Sequence, residues 1–478
     1  MLIRRLKLLL SRLSLISKTR RRRRRRRRRF SKKEKVNSLP NEVVEEILIR
    51  LPVKSLVRFR CVCKDWFSLI SSNAFIAAHT SRALSRSDYI NKSNRVLFRY
   101  VGTVFLKYFP PRHFQYFSLR SDDGSFGRNR NFIHLKYPFD ITSTLDILPN
   151  IVGSWNALFC FAYDNPYRRY GYSLWNPSIH RALSLPDPNF TLWSKSLHIC
   201  KHFHGFGYDP STNDVKLVRL AYHGLPIPKV PPLVEIYTLN TGCWRAITSP
   251  APSYIVRDRC LSVFVNRASH WVALTAPGER TFRNVIVAFD MGDEVFREIA
   301  MPNCFVGKFY LNMTVAVRDG LLCLVPFNQQ EQEQSVSLWI MKEYGIGESW
   351  TKLFNIHISG LKRVVAFRQN GEVLVTNRNV ELLSYEPNIQ RVTQIKFCKF
   401  SSSEIKTRFV ECLFFWDKYL ESLVLLNAKD GVSGGTANTS YASARKGKFA
   451  YSITSLALCT SYYMLTFFLF WGICDELI

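Results

Sequence analysis

The stretch from Ser38 to Ile70 reads SLPNEVVEEILIRLPVKSLVRFRCVCKDWFSLI, and it decides how the front of the chain folds. From Leu39 onward its apolar residues recur at the spacing of one helical face, which predicts an amphipathic helix. Pro52 ends this helix, because proline lacks an amide hydrogen and restricts the residue before it. A second short helix is predicted from near Lys54, and a third from near Asp65 through Phe75. Three helices in about forty residues carry more apolar surface than they can bury among themselves, so we expect a partner to cover part of it.

This stretch, extended to LPNEVVEEILIRLPVKSLVRFRCVCKDWFSLISSNAFI, resembles an F-box over its full length. The Leu-Pro start, the acidic first helix, the RLPVKSL junction and the VCK-x-W segment occur in the order typical of that family. In that family the helices dock onto a Skp-type linker protein, which connects them to a cullin-RING ubiquitin ligase. The resemblance implies that eight residues contact the linker or support the helices that do: Leu39, Pro40, Ile47, Leu51, Pro52, Leu56, Val62 and Trp66. It does not separate contacting from supporting residues, and the alternative is a group of helices packed only on the rest of this chain.

Between residues 95 and 426 the pattern changes to short apolar strands separated by turn residues. One theme recurs six times: an aromatic-bearing strand, a polar turn, and a basic or Trp-bearing strand that ends near a proline. The marker aromatics lie 58, 62, 52, 50 and 46 residues apart, at Phe117, Trp175, Tyr237, Phe289, Trp339 and Tyr385. Periods of about 40–50 residues with several strands each are typical of propeller blades. The sequence therefore predicts an α+β multidomain protein, a small three-helix F-box followed by an all-β propeller-like domain of about six blades.

The body is similar to the F-box-associated domain of plant F-box proteins. GSWNALFCF, WNPSIHRALSLP, GFGYDPSTNDVKLVRL, SHWVAL and YLESLVLL carry this resemblance. The double glycine of kelch blades is absent from the six units, so they are kelch-like in period only. The sequence also departs from the family at Ala157 and at Arg267-Ala268, where glycine is more usual and where we expect weakened turns.

The resemblance implies that the propeller-like domain recognises a protein substrate for ubiquitination. Loops on a rigid frame are the usual contact surface. The candidate loops are Asp164–Tyr170, Gly224–Pro232 and Asn328–Gln334, and for any one of them a plain solvated connection is the alternative.

The net charge of +31 is concentrated at the front of the chain. Residues 1–35 hold 18 Lys or Arg against one Glu, including ten consecutive arginines from Arg20 to Arg29. We interpret residues 1–37 as a basic disordered tail. A mitochondrial transit peptide, a nuclear-import signal and a nucleic-acid-binding patch are alternatives, and the last makes a nucleic-acid-binding protein the rival function.

The chain ends on an apolar tail. Residues 38–84 are assigned to the F-box, 95–426 to the propeller-like domain, 427–448 to a Gly/Ser-rich linker and 449–478 to the tail. The uncharged run within the tail, residues 449–474, has 26 residues, and about 20 apolar residues suffice to cross a bilayer. The expected location is cytoplasmic and/or nuclear, with a C-terminal membrane anchor as the alternative.

No catalytic constellation stands out in the sequence, so we expect a non-catalytic subunit without cofactor or metal. The twelve cysteines show no paired Cys-x-x-Cys spacing. His198, Cys200, His202 and His204 alternate along one predicted strand, which spreads them too far apart for more than two to hold one ion. GVSGG at residues 431–435 fits Gly-x-Ser-x-Gly, but no helical pattern follows it as a nucleophile elbow requires.

Overall fold

The structure is a computed structural model, and it describes a series of ranges along the chain. These are residues 39–87, 95–106, 109–123, 126, 132–138, 149–164, 170–189, 201–223, 229–247, 253–257, 261–275, 283–308, 312–327, 335–379, 381–395, 406–409, 414–428 and 432–433. The contacts between Cα atoms divide the chain into two compact units, Met1–Leu51 and Pro52–Ile478. The basic tail, the linker beyond Ser433 and the apolar tail lie outside the described residues, so the predictions for them stay predictions.

Four helices occupy the front of the described chain: α1 (Asn41–Leu48), α2 (Val53–Phe59), α3 (Lys64–Ile70) and α4 (Asn73–Ser87). The carbonyl of Pro40 accepts the amide hydrogens of Val43 and Val44, so this proline caps α1. Pro52 does the same for α2, where the amides of Ser55 and Leu56 donate to its carbonyl. Each proline therefore stands just before a helix, where its missing N–H costs nothing.

The third predicted helix is two helices in the structure. The sequence pattern carried one helix from Asp65 through Phe75, but α3 ends at Ile70. The hydroxyl of Ser72 accepts the amide hydrogen of Phe75 at 3.1 Å and starts a new helix. Serine favours such capping over a helix interior, because its hydroxyl competes for backbone groups. The expectation of three helices is thus only partly met.

The remainder of the described chain forms six antiparallel sheets, or blades. Blade 1 contains β1 (Arg95–Leu106), β2 (Phe109–Ser121), β3 (Ile133–Leu135), β25 (Lys406–Phe409) and β26 (Phe415–Lys418). Blade 2 contains β4 (Asn150–Trp155), β5 (Leu158–Asp164), β6 (Tyr170–Asn176), β7 (Arg181–Ser184) and β27 (Val432–Ser433). Blade 3 contains β8 (Lys201–Asp209), β9 (Asp214–His223), β10 (Lys229–Thr238) and β11 (Cys243–Ala246).

Blades 4 to 6 repeat this pattern. Blade 4 contains β12 (Tyr254–Val256), β13 (Val263–Val265), β14 (Ala268–Thr275), β15 (Asn284–Asp290) and β16 (Phe296–Ile299), with β12 and β13 both paired to β14. Blade 5 contains β17 (Asn312–Arg318), β18 (Leu321–Phe327), β19 (Ser335–Met341) and β20 (Trp350–His357). Blade 6 contains β21 (Leu361–Phe367), β22 (Val373–Asn377), β23 (Leu382–Glu386) and β24 (Arg391–Gln394). Short 3₁₀ helices occur at Asn303–Phe305 and Gly347–Ser349.

The blades close into a six-bladed propeller. The first strand of each blade contacts its neighbours in turn, β4 with β8, β8 with β13, β13 with β17, β17 with β21, and β21 with β26. The cores lie between blades: one cluster joins blades 3 to 5, a second blades 5 and 6, a third blades 1 and 2, and a fourth blades 6 and 1. A blade cannot bury both of its faces alone, so closing the ring is what completes the core.

The positions of the marker aromatics in the structure confirm the six-blade prediction. Each lies on the third strand of its blade, counted from the axis: β2, β6, β10, β15, β19 and β23. Five of them are at most 3% exposed, and Trp339 is partly buried. The sequence theme was therefore the hairpin between the third and fourth strands of each blade.

Tight turns join the first and second strands of several blades. Asn156-Ala157, Asn266-Arg267 and Asp319-Gly320 are two-residue turns in which both residues have positive φ. This is the turn that matches the twist of the flanking strands, and it favours Asn, Asp and Gly. Ala157, with φ of 57°, and Arg267, with φ of 65°, hold the two positions where glycine was expected.

We expect Arg267→Gly to raise the free energy of unfolding by up to about 1 kcal/mol. Glycine removes the steric penalty of the left-handed conformation, which exceeds the chain entropy that glycine adds to the unfolded state. The measurement is the thermal unfolding of the full chain by scanning calorimetry.

Ala157→Gly is the matched control. Its methyl group is buried in the core between blades 1 and 2 and is only 1% exposed. Losing a buried methyl costs about 0.8 kcal/mol, which offsets the conformational gain, so we expect almost no shift. A lower transition temperature for Arg267→Gly would contradict the interpretation that the positive φ of Arg267 is sterically unfavourable at this turn.

Candidate functional site: apolar patches on the helices and the two faces of the propeller

Helix α1 carries two apolar stripes, and one of them is exposed. Leu39, Val43 and Ile47 follow one another at four-residue spacing and are 56%, 41% and 47% exposed. We call these three residues the first patch. Leu48 lies on another side of the helix and is 1% exposed. The exposed stripe is therefore confined to one side of α1, since Val44 is partly buried and Leu48 is buried.

A second apolar surface lies at the start of α3, where Val62 is 61% and Phe67 is 50% exposed. We call these two residues the second patch. The Sγ atom of Cys63 accepts the amide hydrogen of Trp66 at 3.4 Å and caps the helix. The guanidinium of Arg60 lies 4.6 Å from the centre of the Phe67 ring, a cation–π contact that holds the ring in place. The second patch is thus an ordered apolar surface.

The structure divides the eight predicted contact residues into three groups. Exposed are Leu39, Pro40, Ile47, Pro52 and Val62; partly buried are Leu51 and Trp66; fully buried is Leu56. The ring of Trp66 lies 5.4 Å from that of Phe59. Leu56 therefore has a supporting position, whereas the five exposed residues can meet a partner directly.

Two exposed residues of the patches were missed by the sequence reasoning. Val43 stands four residues after Leu39 and four before Ile47, so the helical spacing alone could have found it. Phe67 follows Trp66 directly, and no spacing rule shows which of two adjacent aromatic residues turns outward on a seven-residue helix.

We expect Leu56→Ala to destabilise the helices by about 2–5 kcal/mol, because it empties a fully buried position. Val62→Ala removes a largely exposed side chain and should change stability by about 0.5 kcal/mol or less. Hydrogen exchange of the backbone amides of α2 and α3 measures both. Equal protection in the two variants would contradict the division into supporting and exposed residues.

The propeller has two faces of different construction. In blades 2 to 6 the first-to-second and third-to-fourth connections lie at one end, which we call the turn face; blade 1 has only the third-to-fourth connection there. The second-to-third connections lie at the opposite end, which we call the distal face. Antiparallel connectivity imposes this division, because successive strands reverse direction.

Charged side chains join neighbouring blades on the turn face. Lys216 of blade 3 lies 3.0 Å from the Asp209 carboxylate and 2.9 Å from that of Glu294 in blade 4. Burial raises the pKa of Asp209, but hydrogen bonds from Ser211, Thr212 and Lys216 outweigh it and hold the pKa well below its usual range. Arg368 of blade 6 pairs with Asp122 of blade 1 at 2.8 Å. These pairs are desolvated and hydrogen-bonded, so they hold the blades in fixed positions.

The turn face of blade 2 also carries the attachment to the helices. Residues 419–428, which we call the strap, run along the β6–β7 turn. The Nδ2 atom of Asn176 donates to the carbonyls of Ser422 at 3.0 Å and Val424 at 2.8 Å. The guanidinium of Arg181 donates to the carbonyls of Leu426 and Ala428 at 2.9 and 2.7 Å.

The strap then reaches the end of α3. Asn427 of the strap donates to the carbonyl of Ser71 and lies 3.4 Å from the Oδ1 atom of Asn73. Burial, and then the nearby charge of Arg181, lower the pKa of Arg60 between α2 and α3. The end of α3 and the start of α4 therefore contact the propeller at its turn face.

All three candidate loops of the sequence analysis follow the second strand of a blade, which ends at the distal face. Asp164–Tyr170 connects β5 to β6, Gly224–Pro232 precedes and enters β10, and Asn328–Gln334 connects β18 to β19. Each link joins the second strand of its blade to the third. One correction applies: Lys229–Pro232 belongs to β10 itself, which contains an irregularity between Lys229 and Leu233. Residues 165–169, 224–228 and 328–334 of these loops lie outside the described residues.

The histidines of β8 are engaged in contacts between side chains. His204 lies 2.9 Å from the hydroxyl of Tyr172, and burial followed by the charge of Arg219 lowers its pKa to about 3. The Nδ1 atom of His202 accepts a hydrogen bond from Arg219 at 3.3 Å. His198 and Cys200 lie outside the described residues. Across the described ranges, no group of three or more His, Cys, Asp or Glu residues is placed to hold a metal ion.

Of the GVSGG stretch, residues 432 and 433 belong to the described part of the chain. Val432 and Ser433 form β27, which pairs with β7 at the edge of blade 2.

In the described part of the chain, no helix has both the length and the apolar character needed to cross a bilayer. The uncharged run at residues 449–474 lies outside it.

Comparison with known proteins decides the family. Residues 146–426 match the F-box associated beta propeller domain, and residues 36–77 match the F-box domain. The chain belongs to the plant F-box proteins with an F-box-associated β-propeller. An F-box/kelch-repeat protein of Arabidopsis thaliana is 30% identical over 339 residues, which cover 67% of this chain and 80% of the relative. F-box protein CPR1 of the same plant is 26% identical over 390 residues, covering 77% of this chain and 86% of the relative.

The F-box match gives the two patches a family context. All five of their residues lie within the matched range 36–77. The propeller match begins just before blade 2 and ends at Leu426 within the strap.

Proposed function

We propose that this F-box protein is the substrate-recognition subunit of an SCF-type (Skp–cullin–F-box) E3 ubiquitin ligase. The observation that supports this most directly is the exposure of five apolar side chains within the F-box segment. Exposed apolar side chains gathered in an ordered segment are typical of a surface that binds another protein. In this proposal the Skp-type linker docks on the F-box and connects the protein to a cullin.

The apolar chemistry of the patches suits a stable interface with the linker. Removing a Val, Leu, Ile or Phe side chain from water contributes about 1.5–3 kcal/mol. Leu39, Ile47 and Val62 are about half exposed or more, so a partner could still gain much of this energy from them. Leu56 and the other buried residues keep the helices in shape but gain nothing further on binding.

The propeller would hold the target protein on its distal face. Helices α2 to α4 attach at the turn face, so a target on the distal face does not compete with them. The ion pairs on the turn face keep the frame rigid, whereas the distal connections differ in length from blade to blade. The subunit needs no catalytic group of its own, because holding a target near a ubiquitin-charged enzyme makes lysine attack effectively intramolecular.

We expect Leu39→Ala combined with Pro40→Ala to abolish co-purification of the Skp-type linker. Anchors at the centre of an interface typically contribute about 2 kcal/mol or more each, which is about thirtyfold in affinity. Pull-down of the linker with full-length protein, followed by calorimetric titration, measures the effect.

Leu353→Ala is the matched control for this experiment. Leu353 is 41% exposed, as apolar as the patch residues, and lies on the outer strand of blade 5. It should leave linker binding unchanged. Undiminished binding by the Leu39/Pro40 double variant would refute the docking assignment.

The distal-face assignment has its own test within blade 5. Replacing Asn328–Gln334 by a short Gly/Ser connection should remove ubiquitinated partners that co-purify with the intact protein when the proteasome is inhibited. Linker binding should persist, because the patches are untouched.

Replacing Glu343–Glu348, on the turn face of the same blade, is the control and should leave those partners in place. The F-box deletion should remove the linker and the ubiquitin signal but keep the partners. The opposite result would contradict the assignment of the target to the distal face. In that case the turn-face variant would lose the partners and the distal-face variant would retain them.

A further inference from the structure

Two exposed thiols border the second patch. Cys61 and Cys63 are both exposed and stand immediately on either side of Val62. Within the described residues, Cys160 and Cys323 are buried, and burial raises the pKa of both thiols, that of Cys323 to about 12. Cys243 and Cys304 are exposed but stand singly on the propeller. The surface beside Val62 is therefore the place in the described chain where two accessible thiols are neighbours in sequence.

The surroundings of this thiol pair are basic. The amide of Cys61 donates to the carbonyl of Arg58 at 3.1 Å, and Cys61 interacts electrostatically with Arg60. Lys64 follows Cys63 directly, and the acid in the first turn of α3 is Asp65. Three cations thus stand against one carboxylate within eight residues of sequence, 58–65. Such a setting attracts small anionic reagents.

We propose that Cys61 and Cys63 form a site of reversible mixed-disulfide formation with an anionic low-molecular-weight disulfide of the oxidised glutathione class, and that this modification blocks linker docking. The inference rests on the proposed function, because it regulates the same surface. Its chemistry uses only the thiol pair and the disulfide reagent.

The reaction is a thiol–disulfide exchange. A thiolate of the pair attacks one sulfur of oxidised glutathione, and the protein–glutathione S–S bond forms as the S–S bond of the reagent breaks. The leaving glutathione thiolate takes up the proton that the protein thiol released to solvent. A thiol reductant reverses the exchange by the same route, so the modification can act as a switch.

The position of the thiols explains the effect on docking. A glutathionyl group on Cys61 or Cys63 places a bulky, negatively charged tripeptide next to Val62, which is 61% exposed. A partner that covers Val62 must then exclude this group or bury its carboxylates without matched charges, and both are unfavourable. We expect the affinity for the linker to fall at least tenfold.

The test uses full-length protein treated with oxidised glutathione, followed by peptide mass mapping and calorimetric titration with the purified Skp-type linker. The peptide containing residues 61–63 should gain one glutathionyl group, the affinity should fall at least tenfold, and reductant should restore both. Cys61→Ser with Cys63→Ser should keep its affinity for the linker after the same treatment. Serine is a preferred helix cap, so the start of α3 is preserved in this variant.

Cys243→Ser with Cys304→Ser is the matched control, and it should still lose linker binding when treated. Modification of the 61–63 peptide without loss of affinity would overturn the inference, as would loss of affinity that persists in the Cys61/Cys63 double variant. Absence of a glutathionyl group on the 61–63 peptide, with modification at Cys243 or Cys304, would overturn it as well. If the untreated reduced protein does not bind the linker, the proposed function itself fails, and this outcome is distinct from the others.

Discussion

The fold depends on the last part of the propeller sequence closing the first blade. Strands β25 and β26 supply the inner edge of blade 1, and β26 pairs with β1 from Val96 to Arg99. The strap then passes over blade 2, where Asn176 and Arg181 donate to four of its carbonyls. A buried carbonyl without a donor is costly, so these two side chains fix the path of the strap. The stability of the ring is therefore a property of the sequence from residue 95 to 428 as a whole.

The strap also determines which face of the propeller is available. It joins the turn face of blade 2 to the end of α3 through Asn427, and the turn face is held rigid by buried ion pairs such as Lys216 with Asp209 and Glu294. Such pairs do little for net stability but hold a defined geometry. No such attachment is present at the distal face among the described residues, and the distal connections vary in length along the sequence. One closing segment thus separates the end that meets the helices from the end that can vary.

The sequence predicted the repeating parts of the structure better than the closing ones. The marker aromatics located the third strand of every blade, because their side chains fill the core between blades. The turn residues Ala157 and Arg267 were also recognised as departures, and both have positive φ.

By contrast, the helix break at Ser72 depends on one hydroxyl capping an amide, and this capping competes closely with a continued helix. The pairing of β26 with β1 could not be read from FWDK, since four residues carry no periodicity and their partner lies at the other end of the domain. Within the candidate site, the exposure of Phe67 was missed because spacing does not show which of two adjacent aromatic residues on a short helix turns outward, whereas Val43 lies at a four-residue spacing that could have identified it.

The exposed patches follow from the shortness of the helices. Helices α2 and α3 have seven residues each, so each can direct only one narrow stripe inward, as Leu56 and Ile70 do. Apolar residues outside that stripe have no further core to enter, and Val62 and Phe67 remain in contact with water. A partner can therefore gain burial energy from them without any rearrangement of the helices, which lowers the entropic cost of docking. The thiols of Cys61 and Cys63 are exposed beside the second patch, so in the proposed scheme docking and thiol chemistry would compete for one small area of surface.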